Sequence, residues 1–317
     1  MMLRLRTEIE RAPLRQLIGC REGVLLLGSC FTEHIGSWMA SHWLPVLCNP
    51  WGVLFNPASI AMSLQRIIGS SGDTPSFDLH EREGIFYSFA HHSKWSGPDR
   101  EALHQQLVAL DTEVRQHWQR FSHVIVTLGT SWVYEREGRV VANCHKFPSG
   151  DFVRRRLSVE EILTLWEPII TAASDKHFIF TVSPIRHVGD GLHGNQLSKA
   201  TLLLAVEALQ GRFAQQVEYL PVYELLVDDL RDYRFYADDL VHPSPLAVEA
   251  VRQLVADTCF SPQLRQYLHE ADPVVKALQH RPSNPDSAEY RRFRQETLQH
   301  KDALLAKYRM TTAYFEQ

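Results

Sequence analysis

The chain has 317 residues, 44% of them hydrophobic, enough to bury a sizeable core in one large domain or two small ones. Its 33 Lys and Arg against 37 Asp and Glu leave a formal net charge of −4, without the basic field of a general nucleic-acid binder. Five widely spaced cysteines, odd in number and lacking a CxxC pair, argue against a disulfide framework or zinc ribbon and fit reduced thiols in a cytoplasmic setting.

The first residues scatter charges and contain no apolar run of signal-peptide type, so a secretory signal is not expected. The apolar run Val24–Leu27 is a strand's worth, far short of a membrane span. Gly23–Gly28 reads as a buried strand broken by glycine, and Thr32–His42 as a helix with Ile35, Trp38 and Met39 on one face. A second apolar stretch, Leu44–Leu47, runs into NPWGVLFNP at residues 49–57, a turn-rich loop from which Asn56 caps a helix with Pro57 in its first turn. Residues 69–98 predict an irregular excursion with one short strand near Phe86–Phe89, and Asp99–Arg120 a helix. The next strand ends at Gly129, and a hairpin turns at Glu137 and Gly138. Ser158 with Glu161 forms a capping box ahead of a helix, which leads to the strand His177–Val182. A helix over about Gln196–Gln210, a strand at Val217–Leu220 and a last core helix from Ser244 to about Cys259 complete the order. Alternating strands and helices imply a mostly parallel sheet covered on both faces. The tail changes character: a linker at Arg281–Asp286 precedes a charged amphipathic helix to Tyr308, with Tyr290, Phe293, Leu304 and Leu305 as candidate contacts. The expected organisation is one domain over 1–272 and a linker with a helical extension over 273–317, through which two copies could pair.

In an open parallel sheet, ligands bind beyond the carboxyl ends of the strands, so the polar residues after each strand carry the chemistry. Ser29 follows the first strand behind a glycine that permits a tight turn. A serine hydroxyl needs a base to become a nucleophile, and a histidine oriented by a carboxylate supplies one. Asp239 and His242 are three residues apart in a turn before the last helix, close enough for the carboxylate to hold the ring. The competing reading makes Ser29 a helix cap and His242 a support for the last helix. Cys30, beside Ser29, is read as a core residue.

Several stretches together resemble the GSCFA family: GSCFT at 28–32 (the usual motif ends in alanine), NPWGVLFNP at 49–57, GTSW at 129–132, NCHK at 143–146, SPIRH at 183–187 and the run from Asp229 to Ser244. The resemblance spans roughly residues 20–260. It implies a place among the SGNH (GDSL-like) hydrolases, a flavodoxin-like three-layer α/β/α fold and esterase chemistry. On that resemblance Ser29 is the nucleophile, Asp239 and His242 its partners, and the backbone N–H groups of Ser29 and Gly52 oxyanion donors. Where such enzymes usually carry an asparagine two residues after a glycine, this chain has Ser131. Asn143 or the Ser131 hydroxyl is then the remaining donor.

Trp132, His145, Arg186 and His187 are the candidate substrate-binding residues; one of Trp51 and Trp132 is expected to roof the core. No compact histidine spacing suggests a metal, and no cofactor is expected. The function read from the sequence is a serine esterase or acyl hydrolase, acting on a small or carbohydrate-linked ester and on neither nucleic acid nor membrane. The alternative is a non-catalytic module binding a carbohydrate or small molecule on the same scaffold.

Overall fold

A computed structural model of the chain describes residues 7–69 and 77–311; the side chains of Cys30 and Phe31 also lie outside the described set, and with them the expectation that Cys30 packs in the core. Five strands form the central sheet: β1 (Gly23–Gly28), β2 (Val46–Cys48), β6 (Phe121–Leu128), β10 (His177–Val182) and β11 (Val217–Tyr219). They lie in the order β11-β10-β6-β1-β2 and every pairing is parallel.

Strand periodicity sorts the core into two layers, because successive side chains point to opposite faces. Leu25, Leu27, Val124, Val126, Leu128, Phe178, Phe180 and Val182 meet helices α2 (Pro57–Ile68), α3 (Arg100–His117), α4 (Val159–Ala172) and α5 (Gly191–Arg212). Val24, Leu26, Ile125 and Ile179 meet α1 (Cys30–Ser41), the short α6 (Val222–Glu224), α7 (Pro245–Cys259) and α8 (Pro262–Gln279). The result is the three-layer α/β/α sandwich expected, with helices on both faces of a parallel sheet. Caps fall where the residue types predicted them: Asn56 Oδ1 accepts from Ser59 N–H, Ser158 and Glu161 form the reciprocal capping box, and Ser244 caps α7.

Two small antiparallel sheets are added at the carboxyl end. β3 (Leu79–Arg82), β4 (Ile85–Ser88) and β5 (Ser96–Gly97) form one. The expected hairpin, β7 (Trp132–Arg136) and β8 (Arg139–Val141), is joined by β9 (Val153–Arg156) into the other.

The C-terminal segment is helical and packed. Position 273 lies inside α8, which continues through Pro273. The last helix, α9 (Ala288–Tyr308), folds back on α8 and is no free arm. Tyr308 meets Tyr267 edge-on at 5.1 Å and its hydroxyl donates to Glu270 at 3.0 Å. Leu304 and Leu305 are buried in the chain's own core, whereas Phe293 remains exposed. Among the described residues, no helix is long and apolar enough to cross a membrane.

Candidate active site

Counted in chain order, the five core strands stand 2-1-3-4-5, so the connections leave in opposite directions at β1 and β6. A crevice opens beyond the carboxyl ends at such a reversal. Here it is a cavity of about 720 Å³, reached by Ser29 after β1, Asn56 after β2, Trp132 after β6, His187 after β10 and His242 before α7.

Ser29 is placed by its neighbour. Gly28 has φ +138°, and a Cβ there would sit 2.2 Å from the Thr127 carbonyl oxygen on β6, so only glycine lets the chain leave β1 this close to its partner. The Gly28 N–H donates to Asn49 Oδ1 at 2.9 Å. Ser29 then occupies the N-cap position of α1, yet its side chain makes no capping bond. Among the described residues its Oγ is buried without a hydrogen-bond partner, as are Thr32 Oγ1 in the first turn of α1 and Asn49 Nδ2. An ordinary cap would have used the hydroxyl. The N-terminus of α1 contributes partial positive charge at the same spot.

Asp239 and His242 are held by a closed turn. Ala237 N–H donates to the His242 carbonyl, Leu240 N–H to the Ala237 carbonyl, and Leu240 takes φ +59° to make the bend. Asp239 Oδ1 accepts the Val241 and His242 N–H groups, both at 2.9 Å, and Oδ2 lies 2.6 Å from His242 Nδ1. These contacts, led by the His242 backbone N–H, hold the Asp239 carboxyl at about 2, well below the usual range. An ionised carboxylate accepts only, so Nδ1 carries a proton, and in the neutral ring Nε2 is the acceptor. Both side chains are about half exposed. No hydrogen bond joins Ser29 Oγ to His242 in this structure; they share the cavity.

Of the other expected site residues, Asn143, Trp132, Arg186 and His187 line the cavity, and Gly52, Ser131 and His145 do not. Gly52 N–H already donates to the Asn49 carbonyl at 2.8 Å. The glycine is needed there for its φ of +85° and for the close approach of His92, which a Cβ would meet at 2.2 Å. Ser131 is fully buried, and both its N–H and its hydroxyl donate to Ser198 Oγ. His145 Nε2 donates to the Ser88 carbonyl at 2.8 Å, with the ring stacked on Tyr87, which makes it a structural histidine. Asn143 Oδ1 accepts the His145 N–H, which turns the asparagine side chain at the cavity wall. Trp51 is the core tryptophan, completely buried with its indole N–H on Asp111; Trp132 is the cavity wall.

Three residues on α5 carry the site from beneath and were not singled out in the sequence. Asn195 Oδ1 accepts His187 N–H, Ser198 Oγ serves Thr130 and Ser131, and Lys199 Nζ donates to the carbonyls of Gly129 and Ser183 at 2.5 and 2.6 Å. Their i, i+3, i+4 spacing continues the buried apolar stripe of Leu202, Ala205, Val206 and Leu209. Polar residues in line with an apolar stripe were the available signal. Burial pushes the Lys199 amine down to about 7, against a weaker opposing pull from Asp190. Burial, then the Lys199 charge, lowers His187 to about 4, so this cavity-wall imidazole is neutral at pH 7. Arg154 from β9 lies over the Trp132 ring at 4.5 Å and is paired with Asp190. Among the described residues, no group of three His, Cys, Asp or Glu could hold a metal ion.

Comparison with curated proteins and with solved structures returned no match. The model of the GSCFA family matches residues 23–254, and the model of the GSCFA domain protein C-terminal domain matches residues 271–316, the stretch that contains α9. The first match spans the whole sheet together with Ser29, Asp239 and His242, and the chain therefore belongs to the GSCFA family.

Proposed function

We propose that the chain is a serine hydrolase of SGNH type, an esterase or acyl hydrolase acting on a small or carbohydrate-linked ester. The observation that carries this reading is the meeting, on one cavity at the strand-order reversal, of an unpartnered Ser29 hydroxyl and a His242 ring oriented by Asp239. Ser29 Oγ attacks the ester carbonyl carbon while its proton passes to His242 Nε2. The imidazolium is stabilised by Asp239 through Nδ1–H. The oxyanion forms at the N-terminus of α1, with the Asn143 amide as the side-chain donor; Asn49, which accepts the Gly28 N–H, carries a second amide without an acceptor among the described residues. Collapse expels the alcohol, which takes the proton from His242, and water attacks the acyl-serine by the same route in reverse. The Ser29–His242 hydrogen bond closes on substrate binding, through movement of the half-exposed turn that carries His242.

A second reading, a non-catalytic binding module, draws on that open Ser29–His242 gap and on the engagement elsewhere of Gly52 and Ser131. Reaction with a fluorophosphonate separates the two. The hydrolase reading expects covalent labelling of Ser29 that disappears in Ser29→Ala and falls sharply in His242→Ala. A folded wild type that stays unlabelled would instead favour the binding module.

A further inference from the structure

The charged side chains that line the cavity do not cancel among themselves, although the Asp239 carboxylate stands behind His242. Arg154 and Asp190 neutralise each other, and His187 is uncharged at pH 7. That leaves Arg186, which lines the same cavity. Among the described residues, no carboxylate pairs with its guanidinium. It lies instead over the rings of Tyr236 at 4.8 Å and Tyr233 at 5.9 Å, and its one side-chain hydrogen bond is a long 3.4 Å contact to the Tyr236 hydroxyl. Stacking on aromatic faces holds a guanidinium flat while leaving its other N–H donors free for a planar acceptor. A half-buried cation with unused donors is a recognition group for a carboxylate or phosphate.

Much of the remaining wall is apolar, with Val53, Phe55, Val133, Val141, Ile185 and Val241, among polar residues such as Asn56, Thr130 and Ser183. At about 720 Å³ the space suits a drug-sized ligand and far exceeds what an acetyl group fills.

We infer that the substrate is an anionic amphiphile, an ester with an apolar chain along these walls and a carboxylate or phosphate held by Arg186. The inference rests on the proposed hydrolase only for the position of the reacting ester; the binding preference stands by itself. The test is calorimetric titration of the whole chain with octanoate, octylphosphonate and the neutral octan-1-ol. At least one anion should bind about ten-fold or more tightly than the alcohol, the factor one charge-assisted hydrogen bond supplies. The stronger of the two anions names the charged group. Arg186→Gln should abolish the preference while leaving the alcohol's affinity within about two-fold, and Arg186→Lys should retain part of it, since the charge remains. Anions that bind no better than octan-1-ol, or an Arg186→Gln variant that weakens all three ligands alike, would overturn the inference. Ser29 labelling is measured on the same samples. Labelling without an anion preference removes the substrate class and leaves the hydrolase, and an anion preference without labelling does the opposite.

Discussion

Replacing Ser29 by alanine separates a nucleophile from a helix cap by the sign of its effect on stability. If Ser29 capped α1, losing the hydroxyl would cost about 0.5–2 kcal/mol. In the structure the Oγ is buried, caps nothing and has no partner among the described residues. Such a hydroxyl costs about 1–3 kcal/mol in lost solvation, and alanine relieves that cost. At roughly 2.1 cal/mol/K of unfolding entropy per residue, 317 residues convert the gain into a rise in Tm of about 1.5–4.5 °C. Scanning calorimetry on wild type and Ser29→Ala at one pH and concentration reads it directly, and esterase turnover should vanish in the same variant. A Tm that falls by a degree or more would refute the reasoning, because the hydroxyl would then be a structural cap.

Two further outcomes follow from the charged groups at the site. Lys199 gives up its proton near 7 when folded and near 10.5 when unfolded, so the folded state gains progressively as pH rises between those values. Wild type should therefore gain on Lys199→Met by roughly 1 kcal/mol per pH unit between pH 7 and 9.5 in urea titrations, and parallel pH profiles would show that the amine is not desolvated as described. Asp239, held near 2, stays ionised until the pH falls toward that value, and its support for His242 is lost only there. Turnover of a short-chain aryl ester should accordingly lose nothing to Asp239 protonation above about pH 4 and fall on the order of 10³–10⁴-fold in Asp239→Asn; undiminished turnover in that variant would remove Asp239 from the mechanism.

The architecture was legible because its signals are local. Apolar runs ending in Gly28 and Gly129, the caps at Asn56, Ser158 and Ser244, and the proline in the first turn of α2 and α7 each act within a few residues of themselves. Asp239 and His242 belong to the same class, since three residues of turn suffice to bring carboxylate and ring together. Two residues show how one residue type can have more than one use. Gly52 is glycine for a bend against His92, and Ser131 is a serine committed to Ser198. Pro273 sits within α8 because tertiary packing of Tyr267, Leu268, Ala271 and Val275 outweighs one lost backbone bond.

By itself, then, the order of residues determined the layers, the caps, the serine at the strand end and the Asp239–His242 pair, all of which follow from short-range stereochemistry and periodicity. Only the tertiary structure decided what faces the cavity. It brought Arg186 onto Tyr233 and Tyr236, set Lys199 beneath the ends of β6 and β10, supplied Arg154 from β9 and folded α9 back onto α8. Those contacts join segments tens of residues apart, and whether a polar group is paired, orphaned or free to bind a ligand depends on which distant atoms the fold places beside it.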